Sequence, residues 1–207
     1  MKKSFLLTLC FMSCLMGMSQ TQQFFTSDRL SSNQVTSICQ DKTGYIWVGT
    51  EYGLNKYDGY RFTTYLHETA KPYSISSNII SFLFSDAADN LWVGTQMGLD
   101  RYQPASDQFE HVKLEGAKAV PRINHIIQED ENHLLIGTAG YGLFRLNTET
   151  LVSEKLEGYA KGDNDYFSHI MIDREGAFWK SGYGNGINRR TAHGKINFFD
   201  IYIAPVI

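Results

Sequence analysis

The chain has 207 residues, of which 43% are apolar and 14% aromatic, and it carries a formal net charge of −3 at pH 7. The net charge is slightly negative, and the sequence contains no stripe of basic residues. Both observations argue against nucleic acid and against an anionic membrane surface as partners. The chain is long enough to bury a sizeable core, and its aromatic residues are plentiful enough to fill one.

Residues 1–19 have the pattern of a signal peptide. Two lysines follow the initiator methionine, an apolar run covers residues 4–16, and small residues precede a cut at Gln20. The run is too short to predict a membrane span. Cys14 leaves a lipid anchor open as an alternative, although that cut would truncate the apolar run. We therefore expect cleavage near Gln20 and a periplasmic or exported protein without a membrane span.

Cys39 is the single cysteine that follows residue 19, so no intramolecular disulfide is expected. Its apolar strand context predicts a buried, small hydrophobic side chain.

The strongest signal is a hydrophobic motif that recurs four times. It covers residues 45–50, 90–95 and 133–138, and a degenerate fourth copy covers 177–182. The anchor residues are Trp47, Trp92, Leu135 and Trp179, which are 45, 43 and 44 residues apart. A period in the forties with strand-like segments inside each unit predicts a β-propeller.

Each unit reads as four short antiparallel strands, so the sequence predicts an all-β chain of about four blades. First strands are predicted at 35–40, 80–85, 123–128 and 167–172. The second strand carries the motif, and a Gly-Leu or Gly-Ile step opens the third. Outer strands are predicted at 61–65, 109–112, 152–155 and 197–200. The resulting blades cover 33–66, 78–113, 121–156 and 165–200 within a propeller region at 20–207.

An acidic turn precedes each motif, as in Asp41 to Gly44. The opening acid is placed to accept backbone N–H bonds, and the fourth position is always Gly, Asp or Asn, which tolerate positive φ. Metal ligands or catalytic bases are the alternative, but one acid per repeat at the same turn favours turn capping. Because the anchor position accepts Leu as well as Trp, it requires apolar volume, and we expect packing between blades rather than sugar stacking. The following glycine predicts a close approach of the next blade.

These residues resemble the two-component regulator propeller repeat. Its pattern combines an Asn-x-Val first strand, an Asp-x-x-Gly turn, Trp-Ile/Val-Gly-Thr and Gly-Leu-Asn-Arg-Tyr. The first copy follows this pattern from Asn33 to Tyr57 and the second from Asn78 to Tyr102. Copies three and four are looser, and Arg122 precedes the third first strand without the Asn. The resemblance covers about residues 24–200.

The resemblance implies the periplasmic sensor region of a Bacteroides-type hybrid histidine kinase. Similar proteins carry a signal peptide and a long propeller array, followed by an immunoglobulin-like domain, one membrane span and a kinase. Many respond to glycan breakdown products. The implied partners are a small polar ligand or oligosaccharide, and downstream kinase domains or a dimer partner in a full-length protein. No phospho-acceptor histidine region is recognisable, so we expect no enzyme activity from this chain.

The number and order of the predicted outer strands indicate an open arc of blades. Residues 23–26 look like a fourth strand that precedes the first full unit, which gives five candidate outer strands for four sets of inner strands. Because unpaired strand edges are a hazard, we expect a fragment of a larger propeller rather than a closed four-bladed ring.

Loops between the second and third strands share one face of a propeller with the connections between blades. On this face the sequence collects aromatic and polar side chains, which suit a carbohydrate or another polar small ligand. The ligand-binding candidates are Asn33, Glu51, Tyr52, Asn78, Gln96, Arg122, Tyr141, Asp165 and Tyr166. Ordinary solvated loops are the alternative for each of them.

His125 and His169 are channel-lining candidates. They occupy equivalent positions in two first strands, where the earlier copies have Ser37 and Phe82. A metal pair or proton relay is an alternative, but two histidines without a carboxylate at fixed spacing are weak grounds for one. We expect no metal, cofactor or catalytic residue, since the sequence has no nucleophile elbow, phosphate loop or His-Glu-x-x-His motif.

Three functions stay open. The leading hypothesis is an exported, non-catalytic propeller that binds a ligand for a two-component sensor. The second is a structural or interaction propeller of a Bacteroidetes cell-surface or secretion-system protein. The third is a propeller-based polysaccharide lyase.

Overall fold

The computed structural model describes residues 23–24, 29–159, 166–182, 186–191 and 196–199, the last four by their backbone alone. The predicted signal peptide, its cut at Gln20 and the lipid-anchor alternative lie outside these residues. The described chain forms sixteen strands in four antiparallel sheets of four, which are the blades of a β-propeller. None of the described residues forms a helix long and apolar enough to cross a membrane.

Every blade has the same order, from an inner first strand to an outer fourth strand. The first blade contains β1 (Val35–Gln40), β2 (Ile46–Thr50), β3 (Gly53–Tyr57) and β4 (Phe62–Tyr65). The second contains β5 (Ile80–Ser85), β6 (Leu91–Thr95), β7 (Gly98–Gln103) and β8 (Gln108–Val112). The third contains β9 (Ile123–Gln128), β10 (His133–Thr138), β11 (Leu143–Asn147) and β12 (Ser153–Leu156). The fourth contains β13 (His169–Ile172), β14 (Phe178–Ser181), β15 (Ile187–Arg190) and β16 (Ile196–Phe199).

The predicted all-β propeller class is confirmed, and most strand boundaries agree to within a residue or two. The first strand of the fourth blade begins later than predicted, at His169 rather than at position 167. The backbone N–H of Phe167 donates instead to the carbonyl of Thr138 in the third blade, at 3.0 Å. Residues 23–24, the described part of the predicted N-terminal strand, form no strand.

In the first, second and fourth blades, the acidic turn before the second strand is hydrogen-bonded to the tryptophan that follows it. Asp41 Oδ1 accepts the backbone N–H of Tyr45 at 3.0 Å, and Asp41 Oδ2 accepts the indole N–H of Trp47 at 2.7 Å. The indole bond recurs at 2.8 Å between Asp86 and Trp92, and at 2.7 Å in the fourth blade. Turn capping is therefore confirmed, and the acid has an indole partner that the sequence analysis missed.

These bonds perturb the ionisation of the turn. Burial alone would raise the pKa of Asp41, but hydrogen bonds from Thr43, Trp47 and the backbone hold that pKa below its usual value. The neighbouring Cys39 is a free, half-buried cysteine. Burial, with a contribution from Asp41, raises the pKa of its thiol to about 12, so the thiol stays protonated and uncharged.

The third turn departs from the others. Glu129 replaces the Asp, and its carboxylate accepts from Arg145 Nε at 2.6 Å, since Leu135 offers no indole N–H. The acid that caps this turn is instead Asp130, whose Oδ1 accepts the N–H of Asn132 at 3.0 Å. The predicted positive φ is wrong for Asn132, because this different turn places it in an ordinary conformation. It is confirmed in the other turns, at Gly44, Asp89 and Gly176.

Neighbouring blades pack through apolar layers that the motif builds. Trp47 and Trp92 are fully buried, and each faces the first strand of the next blade. A Cβ atom added to Gly49 would lie 2.6 Å from Cγ2 of Ile80, and one added to Gly94 would lie 2.9 Å from the equivalent Ile. Real Cβ atoms do not approach so closely, so the predicted need for glycine is confirmed.

The two end faces of the array are not packed in this way. Ile38 on β1 is 63% exposed, whereas the equivalent Leu83 and Ile126 are buried against the preceding blade. On the far side of the fourth blade, Met171 and Ile187 are exposed. The four blades therefore form the predicted open arc rather than a closed ring.

Candidate ligand-binding site

The turns between second and third strands and the connections between blades lie at one end of the blades, which we call the upper face. Val35, where β1 begins, pairs with Thr50 at the end of β2. Gly53, where β3 begins, pairs with the same Thr50, and β4 ends opposite Leu54. The second blade repeats this register. Loops from all these strand ends therefore meet on the upper face.

The upper face brings several predicted binding residues together in pairs. The backbone N–H of Glu51 donates to the carbonyl of residue 34, directly after Asn33, at 3.1 Å. The N–H of Gln96 donates to the carbonyl of residue 79, directly after Asn78, at 3.0 Å. Each turn is thus tied by its backbone to the connection that enters its own blade.

The third blade repeats the pairing with different residues. The carbonyl of Arg122 accepts the N–H of Ala139 at 3.0 Å. Ala139 also forms an isolated antiparallel bridge with Tyr166, which joins the third blade to the fourth. Tyr141 lies in the same turn and packs against the apolar layer between the second and third blades. Asp165 lies outside the described residues.

Solvent exposure divides the predicted ligand-binding residues into those that can contact a ligand and those that stabilise the loops. The exposed ones are Asn33, Glu51, Tyr52, Gln96 and Arg122. Asn78, Tyr141 and Tyr166 are half-buried. Asn78 Oδ1 accepts the backbone N–H of His67 at 2.6 Å, so this side chain fixes the connection between the first two blades.

A cavity of about 430 Å³ opens on the upper face between the second and third blades. Its polar groups come from Ser76, His111 and Lys113. The predicted residues Gln96 and Arg122 adjoin its walls in sequence but do not line it. The apolar lining comprises Met97, Leu99, Val112, Leu114, Val120 and Pro121.

The polar wall of this cavity is a cluster that the sequence analysis missed. Asp100 is fully buried; its Oδ2 accepts the backbone N–H of Ser76 at 2.7 Å, and its Oδ1 lies 2.7 Å from Nδ1 of His111. Nε2 of His111 donates to the carbonyl of Pro72 at 2.9 Å. Since a carboxylate and a carbonyl only accept, this geometry favours the doubly protonated, cationic imidazole. The hydrogen bond to Asp100 accordingly raises the pKa of His111.

A difference between the first two repeats could have revealed this cluster. Ser31 donates its N–H to Asn55 Oδ1 at 3.0 Å in the first blade, just as Ser76 does to Asp100 in the second. The second blade therefore replaces a neutral amide by a carboxylate at a fully buried position. A buried carboxylate requires a cationic or hydrogen-bonding partner, and His111 is that partner.

The cluster is not arranged for nucleophilic catalysis. Ser76 Oγ lies 2.8 Å from Nδ1 of His111, the same nitrogen that faces Asp100. A catalytic triad needs the serine and the carboxylate on opposite ring nitrogens. The cluster can position a connection and offer polar groups to a ligand, but it does not activate Ser76.

The two channel-lining candidates lie next to each other on neighbouring first strands. The ring centroids of His125 and His169 are 5.2 Å apart, with an interplanar angle of 54°. Nδ1 of His125 is buried without a hydrogen-bond partner. Burial and the nearby His169 lower the pKa of His125 to about 4. Within the described ranges, no three or more His, Cys, Asp or Glu side chains converge on a common point.

Comparison with known proteins agrees with this architecture. The family model described as two component regulator propeller matches residues 29–52. Over 54 residues the chain is 44% identical to histidine kinase P4 of Formosa agariphila, a match that covers 26% of this chain and 4% of that protein. The chain therefore spans a small part of the relative that it matches.

Solved structures share the fold. The extracellular domain of a hybrid two-component system from B. thetaiotaomicron is 24% identical with a TM-score of 0.78, over 87% of this chain and 26% of that one. A virginiamycin B lyase from Staphylococcus aureus is 16% identical with a TM-score of 0.65, over 89% of this chain and 60% of that one. At these identities the likeness shows the fold alone.

Fold and repeat together define a β-propeller that presents loops and a cavity on one face. The two-component regulator propeller model matches one of its repeats, over residues 29–52, in agreement with the resemblance seen in the sequence.

Proposed function

We propose that this propeller is part of the ligand-binding extracellular region of a two-component sensor, in the periplasm or outside the cell. The similarity to a histidine kinase and to the extracellular domain of a hybrid two-component system supports this proposal. Kinase domains of a full-length protein would be the partners that read the signal.

The observation that carries the proposal is the cavity between the second and third blades. Its volume of about 430 Å³ falls in the range of small-molecule sites, about 300–1,000 Å³. Apolar walls with a few polar groups at one side are the usual composition of such sites. A glycan-derived ligand of one or two sugar units would lay a C–H face on Met97 and Val120 and direct hydroxyl groups to Ser76, His111 and Lys113.

Ligand binding in this cavity can lead to a conformational change. The cavity is lined by the β6–β7 turn at Met97 and Gly98 and by the connection at 113–121, which leads into the third blade. A ligand that contacts both segments would favour the arrangement in which they are close. Only a difference in affinity between two arrangements can shift their populations, and simultaneous contacts to the second blade and to this connection would supply one.

Binding to the purified protein tests the proposal. A panel of mono- and oligosaccharides is screened by thermal shift, and hits are measured by titration calorimetry. Val120→Arg places a long charged side chain at the cavity, and Val152→Arg is its matched control, since the two valines are 61% and 64% exposed. We expect Val120→Arg to weaken binding at least tenfold, while Val152→Arg leaves it unchanged.

The outcomes separate the competing functions. Absence of binding across the panel would contradict the glycan version, and equal effects of the two arginine variants would contradict the cavity as the site. Breakdown of a panel member during incubation would favour an enzyme instead of a sensor.

A further inference from the structure

The inner edge of the arc presents one side chain from each first strand. These side chains belong to the residues that pair with the fifth residue of each motif, at positions 49, 94, 137 and 181. They are Ser37, Phe82, His125 and His169. Ser37 Oγ accepts the backbone N–H of Leu83 at 3.0 Å and so joins the first two blades. Phe82 supplies an apolar ring that lies 4.3 Å from the His125 ring, centroid to centroid. The two histidines add ring nitrogens to this edge, and such atoms need polar partners.

His125 has an unmet polar requirement. Its Nδ1 atom is buried and has no hydrogen-bond partner. Buried polar atoms are almost always paired, and an exception is commonly accounted for by a water or an ion. The apolar ring of Phe82 lies on one side of His125, and the imidazole ring of His169 lies on the other.

The spacing of the two rings suits a shared metal ion. Two imidazoles bound to one tetrahedral ion, with metal–nitrogen distances of about 2.0 Å, place their ring centroids about 5 Å apart. The observed centroid separation is 5.2 Å, and the planes are inclined by 54° rather than stacked. His169 is exposed, so an ion and its water ligands can reach the pair from solvent.

We propose that His125 and His169 form a binding site for a divalent transition-metal ion of the class that prefers imidazole, Cu²⁺, Zn²⁺ or Ni²⁺. Water molecules fill the remaining coordination positions, because no third His, Cys, Asp or Glu among the described residues converges on the pair. An ion held in this way joins β9 to β13 and so links the third blade to the fourth. The site is separate from the cavity between the second and third blades and does not depend on the proposed sensor function.

Titration of the purified, tag-free protein with CuCl₂ and ZnCl₂ at pH 7 tests the proposal, with calorimetry and thermal shift as readouts. His125→Phe copies the residue at the same position of the second blade, and His169→Ser copies that of the first, so both replacements suit the strand. His133→Gln is the control, since His133 lies on the surface and is held by Asp130 at 2.8 Å.

We expect one ion per chain, a higher melting temperature with the ion, and at least a tenfold loss of affinity in each of the two variants but not in the control. The electron paramagnetic resonance spectrum of the Cu²⁺ form should show coupling to two imidazole nitrogens. Failure of the unaltered protein to bind at millimolar metal overturns the proposal, and so does undiminished binding by His169→Ser. The exposed position of His169 makes that second variant informative even if His125→Phe does not fold.

Discussion

Replacing Asp86 with alanine tests whether the bond between acid and indole stabilises the blades. Asp86 is buried and accepts the backbone N–H groups of Ala88 and Asn90, at 3.0 and 2.8 Å, and the indole N–H of Trp92 at 2.8 Å. Alanine leaves the fully buried indole N–H without an acceptor, which costs about 1–3 kcal/mol. Water can reach the turn, so each lost backbone bond costs only about 0.5–1 kcal/mol. We expect the free energy of unfolding to fall by about 2–5 kcal/mol.

Glu129→Ala is the matched control. Glu129 occupies the same turn position in the third blade, where Leu135 stands in place of the tryptophan. Its carboxylate pairs with Arg145 in a partly exposed ion pair, and such pairs contribute about 0–1 kcal/mol. Arg145 also keeps a second carboxylate partner, Asp130. The control should therefore lower the free energy of unfolding by less than about 1 kcal/mol.

Equilibrium unfolding in urea, followed by tryptophan fluorescence and by far-ultraviolet circular dichroism, measures both variants. Trp92→Leu, alone and combined with Asp86→Ala, completes a double-mutant cycle, and the expected coupling energy is about 1–3 kcal/mol. The reasoning is refuted if Asp86→Ala costs no more than Glu129→Ala. It is also refuted if the cost of Asp86→Ala is the same with Leu at position 92.

Three further predictions concern the close contact between blades at Gly94 and the pKa values of His125 and His111. Gly94→Ala would place a methyl group 2.9 Å from Cγ2 of an Ile in the next blade, and should destabilise by about 1–3 kcal/mol; Ser181→Ala on the open face should be near neutral in the same urea assay. The pKa of His125 is about 4 in the folded protein, and the unfolded residue binds its proton near pH 6.5. Stability should therefore fall by about 1–2 kcal/mol as the pH drops from 6.5 to 4, after allowance for solvent, and His125→Phe should flatten that slope. Asp100→Asn replaces the carboxylate, whose hydrogen bond and charge raise the pKa of His111, by a neutral amide. The nuclear magnetic resonance titration midpoint of His111 should therefore move to lower pH, and an unchanged midpoint would contradict the assignment.

The repeating part of the fold could be predicted because its causes are local and occur several times. The volume of Trp47 and the absence of a side chain at Gly49 each serve a contact with the next blade, and both recur at the same spacing. A periodic requirement of this kind is visible in one sequence without knowledge of distant contacts. The third turn was predicted less well, because Glu129 looks like another capping acid until the partner Arg145 is known.

The binding cavity depends on contacts that no spacing reveals. Ser76 and Asp100 are 24 residues apart, and Ser76 and His111 are 35 apart. These residues meet because strand register brings the end of β8 beside the connection that enters β5. The apolar wall at Val120 depends on the path of an irregular connection, which has no periodic pattern. The predicted polar residues therefore lie on the face that carries the cavity, but they do not line it.

Differences between the repeats are more informative about function than their consensus. In the third blade the acid and the tryptophan change together, to Glu129 and Leu135, as expected of two residues that act as one structural unit. At Asp100 the change from the amide of the first blade brings a buried charge to the wall of the cavity. At His125 the change brings a polar atom without a protein partner to the inner edge. Packing explains the joint change to Glu129 and Leu135. The changes at Asp100 and His125 each introduce a polar group that needs a partner and that the packing of the blades does not require. Binding functions should therefore be tested first at the cavity and at the histidine pair.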